Sequence, residues 1–169
     1  MTQLSDDVLE LEMMAVVKDK QDVGFSYVKK TISTVLEPGE VLIKVITASF
    51  CGTDYHIYTY DKWSRNRLHL PLTVGHEFSG EIIKIANGVT RVKMGDIVSA
   101  ETHIICDVCE FCLRGEGHIC QNTKVIGVDR DGCFAEYIKI PAKNCFVNDA
   151  SISQIELSVQ ETLGNAVHT

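Results

Sequence analysis

Residues 106–120, CDVCEFCLRGEGHIC, place four cysteines in fifteen positions and constrain this chain more than any other stretch. The spacing is C-x2-C-x2-C-x7-C, from Cys106, Cys109, Cys112 and Cys120. Such a cluster serves disulfides, a metal or redox chemistry, and the compartment decides first. The opening MTQLSDDVLELEMMAVVKDK carries Asp6, Asp7, Glu10 and Glu12, and its longest apolar run is only Met13 to Val17. It therefore has the pattern of neither a signal peptide nor a membrane span. A cytoplasmic location follows, where thiols stay reduced and tight cysteine clusters bind metal or catalyse. The odd total of seven cysteines also argues against a closed disulfide framework.

Zinc prefers four tetrahedral ligands, and thiolates at short spacings wrap it with little chain to order. Here three cysteines share one turn, and the fourth follows an excursion through Gly115 and Gly117. With every position filled by protein, the predicted zinc is structural. An iron–sulfur cluster is the rival, although the bacterial pattern has a different last spacing and a following proline. Four adjacent thiols without any metal would be an oxidation liability.

The rest of the chain reads as short strands: Met13–Lys18, Phe25–Thr31, Val41–Ala48, Gly80–Ile85, Ile97–Ala100 and Phe134–Ile140. Turn residues separate them at Pro38-Gly39, Asn87-Gly88, Gly95-Asp96 and Asp131-Gly132. VLIKVITA, at 41–48, is apolar on both alternating faces, as in a strand buried on two sides. This density of strands and turns predicts a mainly β chain of α+β class, arranged as a barrel or sandwich. One helix is expected near the end, opened by a Ser153–Glu156 capping box and stopped by Gly164. Residues 1–12 read as an acidic extension and 13–169 as one domain, with a metal lobe at 102–124. No G-x-G-x-x-G follows a strand, so no dinucleotide-binding Rossmann fold is expected within the chain. A net charge of −7 excludes a phosphate-binding surface for nucleic acid.

Two further stretches, CGTDYH at 51–56 and GHEFSG at 75–80, bring a second chemistry. Cys51, His76 and Glu77 offer a thiolate, an imidazole and a carboxylate from separate segments. Taken singly, each has a structural explanation: a small buried hydrophobe, a satisfied core histidine, a surface carboxylate. Together they are the three protein ligands of a catalytic zinc, which keeps one exchangeable position and acts as a Lewis acid.

With Gly75, His76, Glu77, Gly80, Ala86 and Val89 added to the four-cysteine lobe, the chain resembles the zinc-containing medium-chain alcohol dehydrogenases. The resemblance covers about Met13 to Thr169. It implies a GroES-like catalytic domain, a partly open β-barrel, and NAD-dependent oxidation of a secondary alcohol. CGTDYHIYTYDKWS, GHEFSGE, GCFAEYIKIPAKN and LGNAVHT resemble the members that oxidise the 3-hydroxyl of threonine to 2-amino-3-oxobutanoate, in amino-acid degradation. By the same resemblance, Cys51, His76 and Glu77 are catalytic zinc ligands, Thr53 and His56 a proton relay, and Glu161 a carboxylate that approaches the metal. If TDYH opens a helix, Thr53 and His56 share a face. His103 falls near the family's substrate pocket or is a surface histidine; His69, His118 and His168 are expected to have no role. Thr162 stands where the family often has proline, and Tyr60 where the threonine enzymes have tryptophan. Family members continue into a Rossmann domain, so this chain is expected to be half an enzyme, inactive alone, with homo-oligomers a property of the complete one. The expected partners are a small alcohol such as a β-hydroxy amino acid, with no nucleic acid and no membrane. A polyol or butanediol dehydrogenase fragment and a stand-alone non-catalytic zinc module are the alternatives; a GroES-like cochaperone would need neither zinc site.

Overall fold

Alternating burial starts the fold. Met13, Ala15 and Val17 are buried while Met14 and Val16 between them are only partly so, the period of a strand with one face on the core, and Lys18 at its end is buried too. The computed structural model describes residues 9–149 and 151–168, so most of the expected extension lies outside the described residues. In chain order the elements are β1 (Glu10–Lys18), β2 (Ser26–Ser33), β3 (Glu40–Ser49), α1 (Gly52–Thr59), α2 (Lys62–Arg67), β4 (Leu72–Thr73), β5 (Glu77–Ile85), β6 (Ile97–Ala100), β7 (His103–Ile104), α3 (Glu110–Leu113), β8 (Lys124–Val125), β9 (Tyr137–Pro141), β10 (Cys145–Val147), α4 (Gln154–Ser158) and α5 (Gln160–His168). The first strand begins at Glu10, three residues before the expected Met13.

β1 pairs with β2 along its length and with β4 at its end, giving the order β2-β1-β4. A five-stranded antiparallel sheet has the order β10-β6-β5-β3-β9. The two sheets meet where Ala15 bridges Ala135 and the Val16 N–H donates to the Phe134 carbonyl at 2.7 Å. The result is a barrel left partly open. β7 and β8 form a separate two-stranded ribbon at the base of the cysteine lobe.

The main core lies inside the five-stranded sheet, around Val41, Ile43, Phe78, Ile82, Val98 and Ile140. A smaller cluster of Ile57, Leu68, Leu72, Val74 and Val128 seats α1 and α2 on the barrel. β3 meets the expectation of two-sided burial only at Val41, Leu42 and Ile43; from Lys44 on it alternates, with Ile46 exposed. The Ser153–Glu156 capping box is present. The single helix expected after it is instead two, broken at Val159, and Gly164 sits inside α5 rather than ending it. Gly164 does not take the left-handed conformation that a C-terminal glycine stop requires.

α4 and α5 lie across the sheet on hydroxyl contacts. Ser49 Oγ meets Ser158 Oγ at 2.6 Å, Ser79 Oγ donates to the Gln154 carbonyl at 2.9 Å, and Ser99 Oγ bonds Gln160 Oε1. Leu157 of α4 is buried with them, whereas Ile155, Leu163 and Val167 face outward. Among the described residues, no helix is long and apolar enough to cross a membrane.

Candidate metal centres

The turn before β5 is shaped by backbone crowding. Gly75 has φ +89°, and a Cβ there would lie 2.3 Å from the Phe134 ring. Only glycine fits that conformation and that space without strain. The turn delivers His76 and Glu77, 5% and 4% exposed, to the inside of the fold. Cys51 arrives from the other side as the N-cap of α1. One ligand atom from each of Cys51, His76 and Glu77 lies within 4.8 Å of the other two.

Asp54 belongs to the same cluster, although the sequence reading quoted it inside CGTD without giving it a role. It is fully buried and accepts from the Cys51 N–H at 2.9 Å. Its other oxygen, Oδ1, lies 3.8 Å from His76 Nδ1, and both atoms are buried without a hydrogen-bond partner. Burial pushes the Asp54 carboxyl up, partly offset by the Cys51 N–H. Two buried carboxyls, a thiol and an imidazole with an orphaned nitrogen crowd one place, where any ionised form lacking a cation costs free energy away from water. A divalent cation would relieve it. If the other ring nitrogen of His76 binds the ion, Nδ1–H needs only a small shift to donate to Asp54, the usual carboxylate–histidine support of a metal site. The donor set therefore fits zinc.

Thr53 Oγ1 stands 3.8 Å from Cys51 Sγ, and His56 follows one turn later on α1. The His56 ring is exposed, and its Nδ1 meets Asp61 Oδ2 at 2.7 Å. Asp61 also caps α2 by accepting from the Ser64 N–H at 2.9 Å. That N–H, then His56, holds the Asp61 carboxyl below its ordinary value. Asp61 was likewise missed, although an aspartate just before a helix is a local N-cap signal.

Glu161 does not join the Cys51–His76–Glu77 group. Its carboxylate lies with Glu101 and His103, one ligand atom of each within 4.8 Å of the others. Successive residues on a helix point about 100° apart. The Thr162 hydroxyl donates to Glu77 Oε1 at 2.6 Å, so Thr162 rather than its neighbour Glu161 is the α5 side chain that meets Glu77. The Glu101 carboxylate, with Glu161 beyond it, raises the His103 pKa, while the His103 hydrogen bond lowers that of Glu101. These groups, with Ser99, His118 and Asn165, line a cavity of about 710 Å³.

In the lobe, Cys106, Cys109, Cys112 and Cys120 bring their sulfurs within 4.8 Å of one another. Cys120 Sγ lies 3.5 Å from Cys106 Sγ and 3.9 Å from Cys109 Sγ. A tetrahedron with Zn–S bonds of about 2.3 Å has S···S edges of about 3.8 Å. N–H groups are aimed at the sulfurs: Cys109 N at Cys106 Sγ, and Cys106 N and Asn122 N at Cys120 Sγ, each at 3.4 Å. The Asn122 amide, with the Val108 and Cys109 N–H groups, lowers the Cys106 pKa to about 6. Burial and the neighbouring Cys109 and Cys120 thiols push Cys112 up to about 12, so four sulfurs this close would need a cation to ionise together, and the cluster fits one. All seven cysteines are unpaired.

Comparison with known proteins adds the family. Residues 37–149 match the alcohol dehydrogenase GroES-like domain. The chain is 54% identical over 157 residues to the L-threonine 3-dehydrogenase of Caldanaerobacter subterraneus, covering 93% of this chain and 45% of that protein. It is 54% identical over 134 residues to the Bacillus subtilis L-threonine 3-dehydrogenase, covering 79% and 39%. Among solved structures, Escherichia coli galactitol-1-phosphate dehydrogenase superposes with TM-score 0.83 at 29% identity, over 92% of this chain and 43% of that one. An E. coli CFT073 short chain alcohol dehydrogenase complexed with NADH gives TM-score 0.82 at 30% identity, over 92% and 44%. The chain thus spans a little under half the length of the relatives it matches.

Proposed function

We propose, from the premise that this chain belongs to the alcohol dehydrogenase GroES-like domain family, that it is the catalytic part of a zinc- and NAD-dependent dehydrogenase acting on L-threonine. The observation that carries the reading is the buried convergence of Cys51, His76 and Glu77. The substrate rests on the threonine dehydrogenases, about half identical over most of the chain. On this reading, oxidation of the 3-hydroxyl gives 2-amino-3-oxobutanoate, and the hydride passes to nicotinamide.

Cys51, His76 and Glu77 hold one zinc, which when bound supplies the Lewis acidity that lowers the pKa of an alcohol. Asp54 fixes the His76 ring. The Thr53 hydroxyl accepts the substrate proton and passes on its own. His56 receives it at the mouth of the site, where its exposed ring reaches solvent and Asp61 holds its orientation. Glu161 faces the neighbouring cavity, where it can shape substrate binding. Cys106, Cys109, Cys112 and Cys120 hold a second, structural zinc. We take residues 13–169 as the catalytic unit, 102–124 as its zinc lobe, and assign the protein to the cytoplasm and amino-acid degradation. Homo-oligomers belong to the longer enzyme.

Metal analysis of the purified chain tests the reading: two zinc ions are expected, falling to one in Cys51→Ala. Joined to the nucleotide-binding half of the Caldanaerobacter relative, the chain should oxidise threonine with NAD and lose that activity in Cys51→Ala. A fusion that prefers a polyol would replace the threonine assignment. A wild-type chain holding only one zinc, in the lobe, would overturn the catalytic reading.

A further inference from the structure

α5 reaches the metal centre through a residue that the proposed chemistry does not use. Thr162 Oγ1 donates to Glu77 Oε1 at 2.6 Å, a short hydroxyl–carboxylate hydrogen bond. Glu77 is 4% exposed, so this bond replaces water that its oxygen has lost. The other contacts that dock the helix pair, from Ser49, Ser79 and Ser99, end on a hydroxyl, a carbonyl and an amide. Of these four, only the Thr162 contact ends on one of the three grouped ligand residues.

We propose that Thr162 is a positioning residue for Glu77, and that through it the docking of α5 and metal binding are coupled. The proposal rests on Cys51, His76 and Glu77 holding zinc. A carboxylate on a free side chain rotates about its last torsion and can offer either oxygen to an ion. The hydroxyl of Thr162 engages Oε1 and removes that freedom, leaving Oε2 as the oxygen without this bond. The effect runs both ways. A metal that fixes Glu77 presents α5 with a fixed acceptor, and a helix with Leu163 and Val167 turned outward has little apolar burial to dock it otherwise. A proline at this position would have no hydroxyl to make the contact.

The test removes the hydroxyl and keeps the shape. Thr162 is itself solvent-accessible, so Thr162→Val leaves the core untouched. Zinc affinity at the Cys51–His76–Glu77 site is measured by competition with a graded chelator, with the lobe zinc counted separately. Thr162→Val should weaken it by about 10- to 100-fold, the usual effect of losing a hydrogen bond to a ligating group. Thr162→Ser should restore it. Ser158→Ala, which removes the Ser49–Ser158 contact from the α4 side and leaves β3 opposite Glu77 intact, should leave it unchanged. Zinc should slow amide exchange in residues 160–168 of the wild type and not in Thr162→Val. Equal affinity in wild type and Thr162→Val overturns the proposal. A wild-type chain with no second zinc to lose would instead overturn the reading beneath it.

Discussion

At the scale of single residues, the polar groups around the cavity respond to one another's charge, and that makes a prediction about pH. The Glu101 hydrogen bond holds the His103 imidazole pKa above its ordinary 6.5, and His103 holds the Glu101 carboxyl below its ordinary 4.5. A raised histidine contributes stability fully below 6.5 and loses it as pH rises through the higher folded value. A depressed glutamate contributes fully above 4.5 and loses it as pH falls through the lower folded value. The pair therefore contributes most between 4.5 and 6.5. Both side chains are about half exposed, so solvent limits the contribution to roughly 1 kcal/mol or less. Glu101→Gln should lower the His103 pKa in an NMR titration. The stability gap to wild type should be widest in that window and close above it. Glu161 remains beside His103 in the variant and keeps part of the shift. A His103 pKa unmoved by Glu101→Gln would show that the pair does not interact in solution. What the sequence revealed at this scale was the identity of Cys51, His76 and Glu77, because local motifs name them. Asp54 could not be assigned, since its partner His76 is 22 residues away and the pairing exists only once α1 packs against the turn before β5. That Glu161 lies beside Glu101 and His103 was not legible for a related reason: which side chain of a helix meets the sheet is settled by a contact, here Thr162 on Glu77.

At the scale of elements, the junction between barrel and lobe is held by two consecutive residues, Lys143 and Asn144. The buried Asn144 amide donates to the Glu101 and His103 carbonyls at 2.9 and 3.0 Å, and its own carbonyl accepts from the Glu101 N–H at 2.9 Å. Lys143 Nζ reaches the Ile105 carbonyl at 2.7 Å and the Asp107 carboxylate. Together they fix residues 101–107, the segment that carries His103 to the cavity and Cys106 to the lobe. Asn144→Ala leaves two carbonyls without their donor, at about 1 kcal/mol or more each. A loss of roughly 2 kcal/mol is expected in denaturant unfolding, with a change in His103 chemical shift. An unchanged unfolding midpoint would mean that water replaces the amide. Elements with local causes were legible: the Ser153–Glu156 box needs only its own four residues, and the strand at Val41–Ile43 needs only apolar composition. The outer half of β3 and the break at Val159 were not, because burial there depends on which partners cover the sheet.

At the scale of the whole molecule, the chain divides into a part that a hydrophobic core holds and a part that it does not. The barrel buries Val41, Phe78, Ile82 and Val98 almost completely. The lobe buries little: α3 has no buried residue, and Val108, Leu113 and Ile119 point outward. Its turns converge on four sulfurs, so the binding energy of a metal there is the folding energy of the lobe. Chelation should therefore open residues 106–120 to protease and lower the unfolding temperature, while the barrel strands keep their amide protection. Cys109→Ser should do the same without chelator. Thermal stability alone cannot separate this from ordinary core damage. Cys133 and Cys145 lie fully inside the barrel, where a serine hydroxyl would be buried at a cost of roughly 1–3 kcal/mol. The count of bound zinc does separate them. Cys109→Ser should lose one zinc and expose the lobe, whereas Cys133→Ser should lower stability with every zinc retained. If Cys109→Ser keeps its full zinc content, the four sulfurs are not a metal site, and the lobe must be held by contacts such as Lys143 to Ile105 and Asp107.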